Sequence, residues 1–365
     1  MNKLSIAAVL FTAFIFAGCG GSGSKTDKDT SNLKSFGSNS DANTLLGAGS
    51  TFVYPLFSKL FAEYGKETNI RVNYQSIGSG GGILQLTNKT IDFGDSDAPL
   101  NDDQTKKMGA DVLHIPMCAG AVVISYNLPE VKQTLKLTPD VLANIFLGKI
   151  TKWNDPQIAK VNAGVTLPAT AIFIAHRSDG SGTTNIFTTY LSKVSTAWNS
   201  SPGKGSAINW PAGLGGKGNE GVAGLIKQTP GAVGYIELAY AMQNNMTFAD
   251  IQNKSGNFIK PSVESTSAAG NISLPADAKI SLTNTDAAQG YPISGFTWAL
   301  IYKEQNYAGR SLDRAQKVAK LLWWNIHEGQ KYCKDLNYAP LSPAAVTTAE
   351  KILKSATFAG KPLLP

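Results

Sequence analysis

Thr-Ala-Ile-Phe-Ile-Ala-His-Arg-Ser-Asp-Gly-Ser-Gly-Thr-Thr, residues 170–184, passes from a β-rich run through a small-residue turn into a helix-like run. Thr170–Ala175 has the β-branched and aromatic content of a strand. Ser181 opens a helical segment that continues to Lys193. A strand feeding a Gly/Ser turn at a helix start gathers several unpaired backbone N–H groups, with the helix dipole behind them. Such a turn is an anion cradle. Arg177 adds a planar fork of donors suited to a tetrahedral oxyanion. The stretch therefore predicts an α/β protein that holds a small anion at the end of a strand.

The same grammar recurs on both sides of it. Gly-Ala-Gly-Ser-Thr-Phe (Gly47–Phe52) precedes Val53, Leu56, Phe57, Leu60, Phe61 and Tyr64, which recur at helical spacing. Ile70, Val72 and Tyr74 alternate, so Ile70–Ile77 reads as a strand. It is followed by Gly78–Gly82 and a helix-like Ile83–Asn88. Asp92–Asp97 reads as a short strand closed by the Asp97-Ala98-Pro99 turn, and His114–Asn127 as a buried strand. Thr138 and Ser342 each precede a Pro, the cap-then-proline signal of a helix start. Further along, Gly221–Gln228 reads as a helix, Ala232–Leu238 and Tyr291–Tyr302 as strands, and Ser311–Glu328 and Pro343–Phe358 as closing helices. Alternating strands and helices joined by short Gly-rich turns indicate α/β architecture, whose ligands bind beyond the carboxyl ends of the strands.

The N-terminus reads as an address. Leu4–Gly18 is apolar apart from small polar residues and follows Lys3. It is short for a membrane span, which takes roughly 20 residues, and suits a secretory signal over residues 1–18. Phe16-Ala17-Gly18-Cys19 resembles a bacterial lipoprotein cleavage box, with Phe16 in place of the usual Leu. Residues 19–44 are rich in Gly, Ser, Asn, Asp, Thr and Lys and form a flexible tether that spans roughly 25–30 Å on average.

Hydrophobic residues make up 42% of the 365, which is ordinary for a globular body. The net charge of +7 is scattered, with no basic run interleaved with aromatics, so nucleic acid is not an expected partner. The three histidines, His114, His176 and His327, have no metal-ligand spacing, and no metal or cofactor is expected. Gly180-Ser181-Gly182 beside His176 invites a hydrolase reading, but Asp179 occupies the first Gly of the nucleophile elbow. No residue is therefore assigned a catalytic role. Cys118 and Cys333 read as two separate buried thiols, with a disulfide as the alternative.

Taken together, Gly47–Phe52, Tyr74–Gly82, Asp92–Leu100, Leu147–Asn154, Arg177–Thr183, Trp210–Asn219, Pro230–Asn245 and Tyr291–Ile301 resemble the phosphate-binding proteins of bacterial phosphate ABC importers. The resemblance runs over roughly residues 46–365. It implies a type II two-lobed periplasmic-binding-protein fold, each lobe a doubly wound sheet flanked by helices, with the ligand in the cleft. Lobe 1 would be residues 45–120 and 296–365, and lobe 2 residues 121–295. The implied phosphate contacts are the Thr51 hydroxyl, the Thr51 and Phe52 amides with Ser50 flanking, Ser79, Asp97, Arg177, Ser181, the Gly182 amide and Thr183. Asp179 would brace Arg177. Gly80 stands where the family often has a second Ser. The implied partners are inorganic phosphate, the permease subunits of an ABC importer, and a membrane reached through a lipid on Cys19. That places the protein in the periplasm or at the outer face of the cell membrane.

Asp97 is the residue that separates phosphate from its mimics. A carboxylate repels an anion unless that anion still has a proton to donate, as phosphate does near neutral pH and sulfate does not. By spacing alone the better reading of Asp97 is that it orders the Asp-Ala-Pro turn, and it is the whole set of motifs that favours the ligand role. The competing ligands are other tetrahedral oxyanions, sulfate or molybdate, and the competing activity is phosphate-ester hydrolysis.

Overall fold

The computed structural model of the chain describes residues 42–365. The signal at 1–18, Cys19 and nearly all of the tether lie outside the described residues. The central sheet uses β1 (Thr44–Gly49), β2 (Arg71–Ser76), β3 (Phe93–Ser96), β4 (Val112–Tyr126), β5 (Phe173–Arg177), β6 (Leu214–Gly216), β7 (Ala232–Glu237), β8 (Thr247–Phe248) and β9 (Ser294–Tyr302). Their order is β2-β1-β3-β9-β4-β7-β5-β6, with β8 also paired to β4. β1, β2 and β3 run parallel at one end, and β5, β6 and β7 run parallel at the other.

One strand joins these two halves. Residues Val112–Ala121 of β4 pair antiparallel with β9, and Val122–Tyr126 pair antiparallel with β7. Both long strands are buried almost throughout, which is why they read as unbroken apolar runs. Gly120 and Gly295 stand opposite each other just before the change of partner. A Cβ on Gly120 would come within 2.5 Å of the Phe52 ring, and one on Gly295 within 2.3 Å of Ile186. The small side chains there make room for those two residues.

Helices cover the faces. In α1 (Tyr54–Thr68), Leu56, Phe57, Leu60, Phe61 and Tyr64 form the buried stripe, each worth about 1.5–3 kcal/mol when fully removed from water. Asn69 ends the helix in a left-handed conformation and donates its N–H to the Gly65 carbonyl. α2 spans Ser79–Thr87, so the glycines expected in a loop before Ile83 form its first turn. Packing decides this: a Cβ on Gly82 would lie 2.4 Å from the Ala48 carbonyl oxygen, and only glycine lets the helix approach β1. α3 (Gly182–Val194) starts as read, with the Ser181 side chain accepting from the Thr184 N–H. α4 (Gly218–Gln228) begins three residues earlier than its apolar pattern. The closing helices α5 (Leu312–Ile326) and α6 (Pro343–Lys354) are capped by Ser311 and Ser342. Cys118 and Cys333 are free and buried.

Candidate functional site

The segments after β1, β2, β3, β5 and β6 meet, because each leaves the carboxyl end of a parallel strand. They bring Ser50, Thr51, Ser79, Asp97, Arg177, Ser181 and Thr183 together, each no more than 3% exposed. Phe52 and Gly182 are buried beside them. Links between the two halves of the sheet run through these residues. Ser79 Oγ accepts from the Gly182 N–H at 3.1 Å and from the Asp97 N–H at 3.3 Å. The Gly80 N–H donates to the Gly180 carbonyl at 2.9 Å.

Three hydroxyls share one pattern. Thr51 Oγ1 accepts from the Asn219 backbone N–H at 3.1 Å and from its Nδ2 at 2.8 Å. Thr183 Oγ1 accepts from Asn219 Nδ2 at 3.2 Å and from Arg177 Nη1 at 3.4 Å. Ser79 accepts twice, as above. A hydroxyl that accepts from N–H groups keeps its own proton to donate. Ser181 likewise only accepts, as the cap of α3. The N–H groups of Gly182 and Thr183 precede the first backbone bond of that helix, from the Asn185 N–H to the Ser181 carbonyl. The Phe52 N–H is held by Ser50 Oγ at 2.9 Å and the Gly182 N–H by Ser79, so both amides have side-chain oxygens as partners.

Arg177 is the buried cation. Its Nε donates to Asp179 Oδ1 at 2.8 Å and its Nη2 to Oδ2 at 2.5 Å, a two-point brace. Asp179 also accepts from the Gly218 N–H at 3.1 Å. Burial alone would raise the Asp179 carboxyl, but the Arg177 bonds and charge and the Gly218 N–H outweigh it and hold it below the usual range. Asp179 thus spends itself on Arg177, and the helix cap falls to Ser181.

Asp97 is a second acid set among these donors. Its Oδ2 accepts from Ser50 Oγ at 2.8 Å, and its Oδ1 lies 2.8 Å from Thr297 Oγ1. Burial pushes its carboxyl up to about 6, against the pull of both hydroxyls and of the Arg177 charge. A Cβ on Gly182 would fall 2.6 Å from Asp97 Oδ2, so the start of α3 rests directly on the acid. A cavity of about 200 Å3 is lined in part by Asp97, with Lys204 and Lys279 at its exposed rim. A larger groove of about 600 Å3 between α1 and β2 is lined by none of the groups that meet here.

Asn219, Thr297 and Asp95 escaped the sequence reading. Asn219 is fully buried, ties Thr51 to Thr183, and accepts the Glu237 N–H through Oδ1 at 2.9 Å. Its signal was an amide at a helix start after a Gly-rich turn. The signal for Thr297 was a hydroxyl inside the otherwise apolar run Phe296–Ile301.

The hydrolase arrangement is not what the residues form. His176 stacks on Trp210 with ring centroids 4.9 Å apart, and its Nδ1 lies 3.0 Å from the Arg177 carbonyl oxygen. Asp92, which opens the stretch that also holds Asp95 and Asp97, serves structure: Arg314 Nε and Nη2 each donate to it at 2.7 Å. Among the described residues no cluster of His, Cys, Asp and Glu could hold a metal ion. No helix among them is long and apolar enough to cross a membrane.

Comparison with known proteins supplies the lineage. The PBP superfamily domain matches residues 34–324. The phosphate-binding protein PstS of Xylella fastidiosa (strain Temecula1) is 42% identical over 360 residues, covering 93% of this chain and 94% of that protein. PstS of Pasteurella multocida is 43% identical over 313 residues, covering 85% and 89%. The crystal structure of a phosphate-binding protein from Stenotrophomonas maltophilia shares the fold at a TM-score of 0.62 and 18% identity, over 83% of this chain and 92% of that one. With its central sheet in two halves joined through β4, the chain has the two-lobed periplasmic-binding-protein fold and belongs to the PstS family of phosphate-binding proteins within the PBP superfamily.

Proposed function

We propose that this protein captures inorganic phosphate outside the cell membrane and delivers it to the permease of an ABC importer. It is a binding protein and not an enzyme, as its family is. The observation that carries the reading is Asp97: one buried carboxylate set among hydroxyl, amide and guanidinium donors. The donors suit any tetrahedral oxyanion. The acid suits one that still carries a proton, and so favours phosphate over sulfate or molybdate.

In this reading Thr51, Ser79, Ser181 and Thr183 donate through their hydroxyls and Arg177 through its guanidinium. The Thr51 amide donates as well, and the amides of Phe52 and Gly182 donate once anion oxygens replace Ser50 and Ser79 as their partners. Ser50 and Asp179 orient Asp97 and Arg177. Lobe 1 comprises residues 45–120 and 296–365, and lobe 2 residues 121–295. The change of partner along β4 at Ala121 and Val122 supports that division. Closure of the lobes desolvates the anion, strengthens its hydrogen bonds and forms the surface the permease recognises. Cys19, freed by removal of residues 1–18, carries the lipid that holds the body at the outer face of the membrane or in the periplasm.

Calorimetry on protein stripped of bound ligand tests the core of this. Phosphate is expected to bind saturably at neutral pH, with sulfate weaker by orders of magnitude. Equal affinity for the two would remove the proton-based account. Membrane fractionation of Cys19→Ser tests the anchor, because the variant should leave the membrane fraction.

A further inference from the structure

Thr297 offers a single hydroxyl to two carboxylates. Its Oγ1 lies 2.7 Å from Oδ1 of Asp95 and 2.8 Å from Oδ1 of Asp97. Both are hydrogen bonds of full strength by distance. A threonine hydroxyl has one proton to give and can otherwise only accept. Both contacts therefore cannot run from Thr297 to a carboxylate at full strength. Unless the one proton is split between two acceptors, one contact runs toward Thr297, and its donor is a protonated carboxyl.

The surroundings say which. Asp97 has both oxygens engaged, one by Ser50, and feels the positive charge of Arg177. Asp95 lies on β3 between β1 and β9 and is fully buried, and its Oδ2 has no hydrogen-bond partner among the described residues. The titratable groups that face it are Asp97, Tyr74 and Cys118, none of which brings positive charge. A buried ion with a bare oxygen is costly, and a neutral acid is much less so. Burial, then the charge of Asp97, pushes the Asp95 carboxyl well above the ordinary carboxylate range despite the Thr297 bond. The strand irregularity between Thr297 and Trp298 marks the point where β9 shifts its register against β4, a device that re-aims side chains.

We infer that Asp95 is a neutral carboxylic acid that donates its proton to Thr297, turns the Thr297 hydroxyl onto Asp97, and so keeps Asp97 the proton acceptor of the anion site. The inference rests on the reading of Asp97 as the acceptor of the phosphate proton, and it extends that role to a second acid. Asp95 is a positioning residue, acting through Thr297. It does two things. It stops Thr297 from giving its proton away from Asp97, and it spares the site a second negative charge that would repel the anion.

The test uses ligand-free protein at pH 8 and then inorganic phosphate. An infrared difference spectrum of wild type against Asp95→Asn should contain a protonated-carboxyl C=O band from the wild type alone. The Asn amide can still donate to Thr297, so Asp95→Asn should bind phosphate within about threefold of wild type. Asp95→Val, with no donor, should bind at least tenfold more weakly and shift the acid limb of the phosphate-binding profile to higher pH. Absence of the acid band, or phosphate binding at least tenfold tighter in Asp95→Asn, would overturn the inference. Tighter binding there would mean that a repelling charge had been removed. The infrared arm needs no ligand, so it decides the protonation of Asp95 even if phosphate binds neither protein, a result that would count against the phosphate reading alone.

Discussion

Asp179 grips Arg177 at two points, Oδ1 to Nε at 2.8 Å and Oδ2 to Nη2 at 2.5 Å, while Arg177 itself is only 3% exposed. Held this way, the guanidinium is fixed before any ligand arrives, and little side-chain entropy remains to be lost on binding. Arg177→Ala should weaken phosphate binding at least 100-fold, since two hydrogen bonds to a charged partner are each worth about 1.5–3 kcal/mol. Asp179→Asn should cost less, about tenfold, because the cation stays but loses its brace. Titration calorimetry on both variants checks the order, and equal losses would contradict it.

Asp97→Asn replaces an obligate acceptor with a group that can also donate. The expected result is a fall in the phosphate-to-sulfate affinity ratio of 100-fold or more, because sites built to pair a ligand hydroxyl reject analogues lacking it by roughly 10⁴–10⁵. Competition binding at neutral pH measures the ratio. An unchanged ratio would remove Asp97 from selectivity.

The same carboxyl makes a prediction about pH. Burial raises it to about 6. The fold therefore favours its neutral form, and ligand-free protein loses stability as pH rises from about 4 through 6, by an amount on the order of 2–3 kcal/mol. Asp97→Asn should then melt several degrees higher than wild type at pH 7.5 and about equally at pH 4. Phosphate affinity of the wild type should fall below pH 6, where the acceptor becomes protonated. Thermal melts and binding isotherms across this range check both limbs.

Asn219 holds Thr51 and Thr183 with one side chain and takes the Glu237 N–H with its carbonyl oxygen. Asn219→Ala leaves that buried N–H unpaired, at a cost of about 1–3 kcal/mol. It also frees two hydroxyls from their orientation, so a tenfold loss of phosphate affinity is expected beyond the loss of stability. Denaturant unfolding and calorimetry separate the two effects.

Gly182→Ala tests the contact between α3 and the acid. Alanine suits the first helical turn, yet its Cβ would lie 2.6 Å from the Asp97 backbone N and from Oδ2. Overpacking of this kind costs about 1–3 kcal/mol. Because Asp97 must move to relieve it, phosphate binding should fall by tenfold or more. Normal binding in this variant would show that the two groups separate when the anion is held.

Lys204 and Lys279 stand at the exposed rim of the cavity beside Asp97. Converting both to Glu should slow phosphate association at low salt, with the difference shrinking as salt screens the rim. Stopped-flow association at two ionic strengths reads this directly.

Periodicity and capping were legible because they are local. Thr138, Ser181, Ser311 and Ser342 cap the helices that their positions announce. β5 begins at Phe173, later than its composition suggests, because Lys152 and Ala171 form a separate bridge. Gly80–Gly82 read as loop and proved helical, since nothing in a glycine run reveals that another backbone will press against it. The anion-cradle residues were recognisable from turn chemistry and from resemblance. Thr297 and Asp95 were not: their contact joins residues 202 apart, and neither stretch alone shows that the two will meet.

Gly120 and Gly295 have a consequence for how the molecule can flex. They put two bare rungs side by side at the place where β4 leaves one neighbour for the next. The space above each is plugged, by the Phe52 ring on one and by Ile186 on the other. Phe52 follows Thr51, and Ile186 sits about one turn inside α3. The two plugs that lean on that step are rooted in the segments proposed to carry the anion cradle, so on that reading any tilt of one half of the sheet against the other would be felt there. On that reading, seating a ligand would bear directly on the packing of this step.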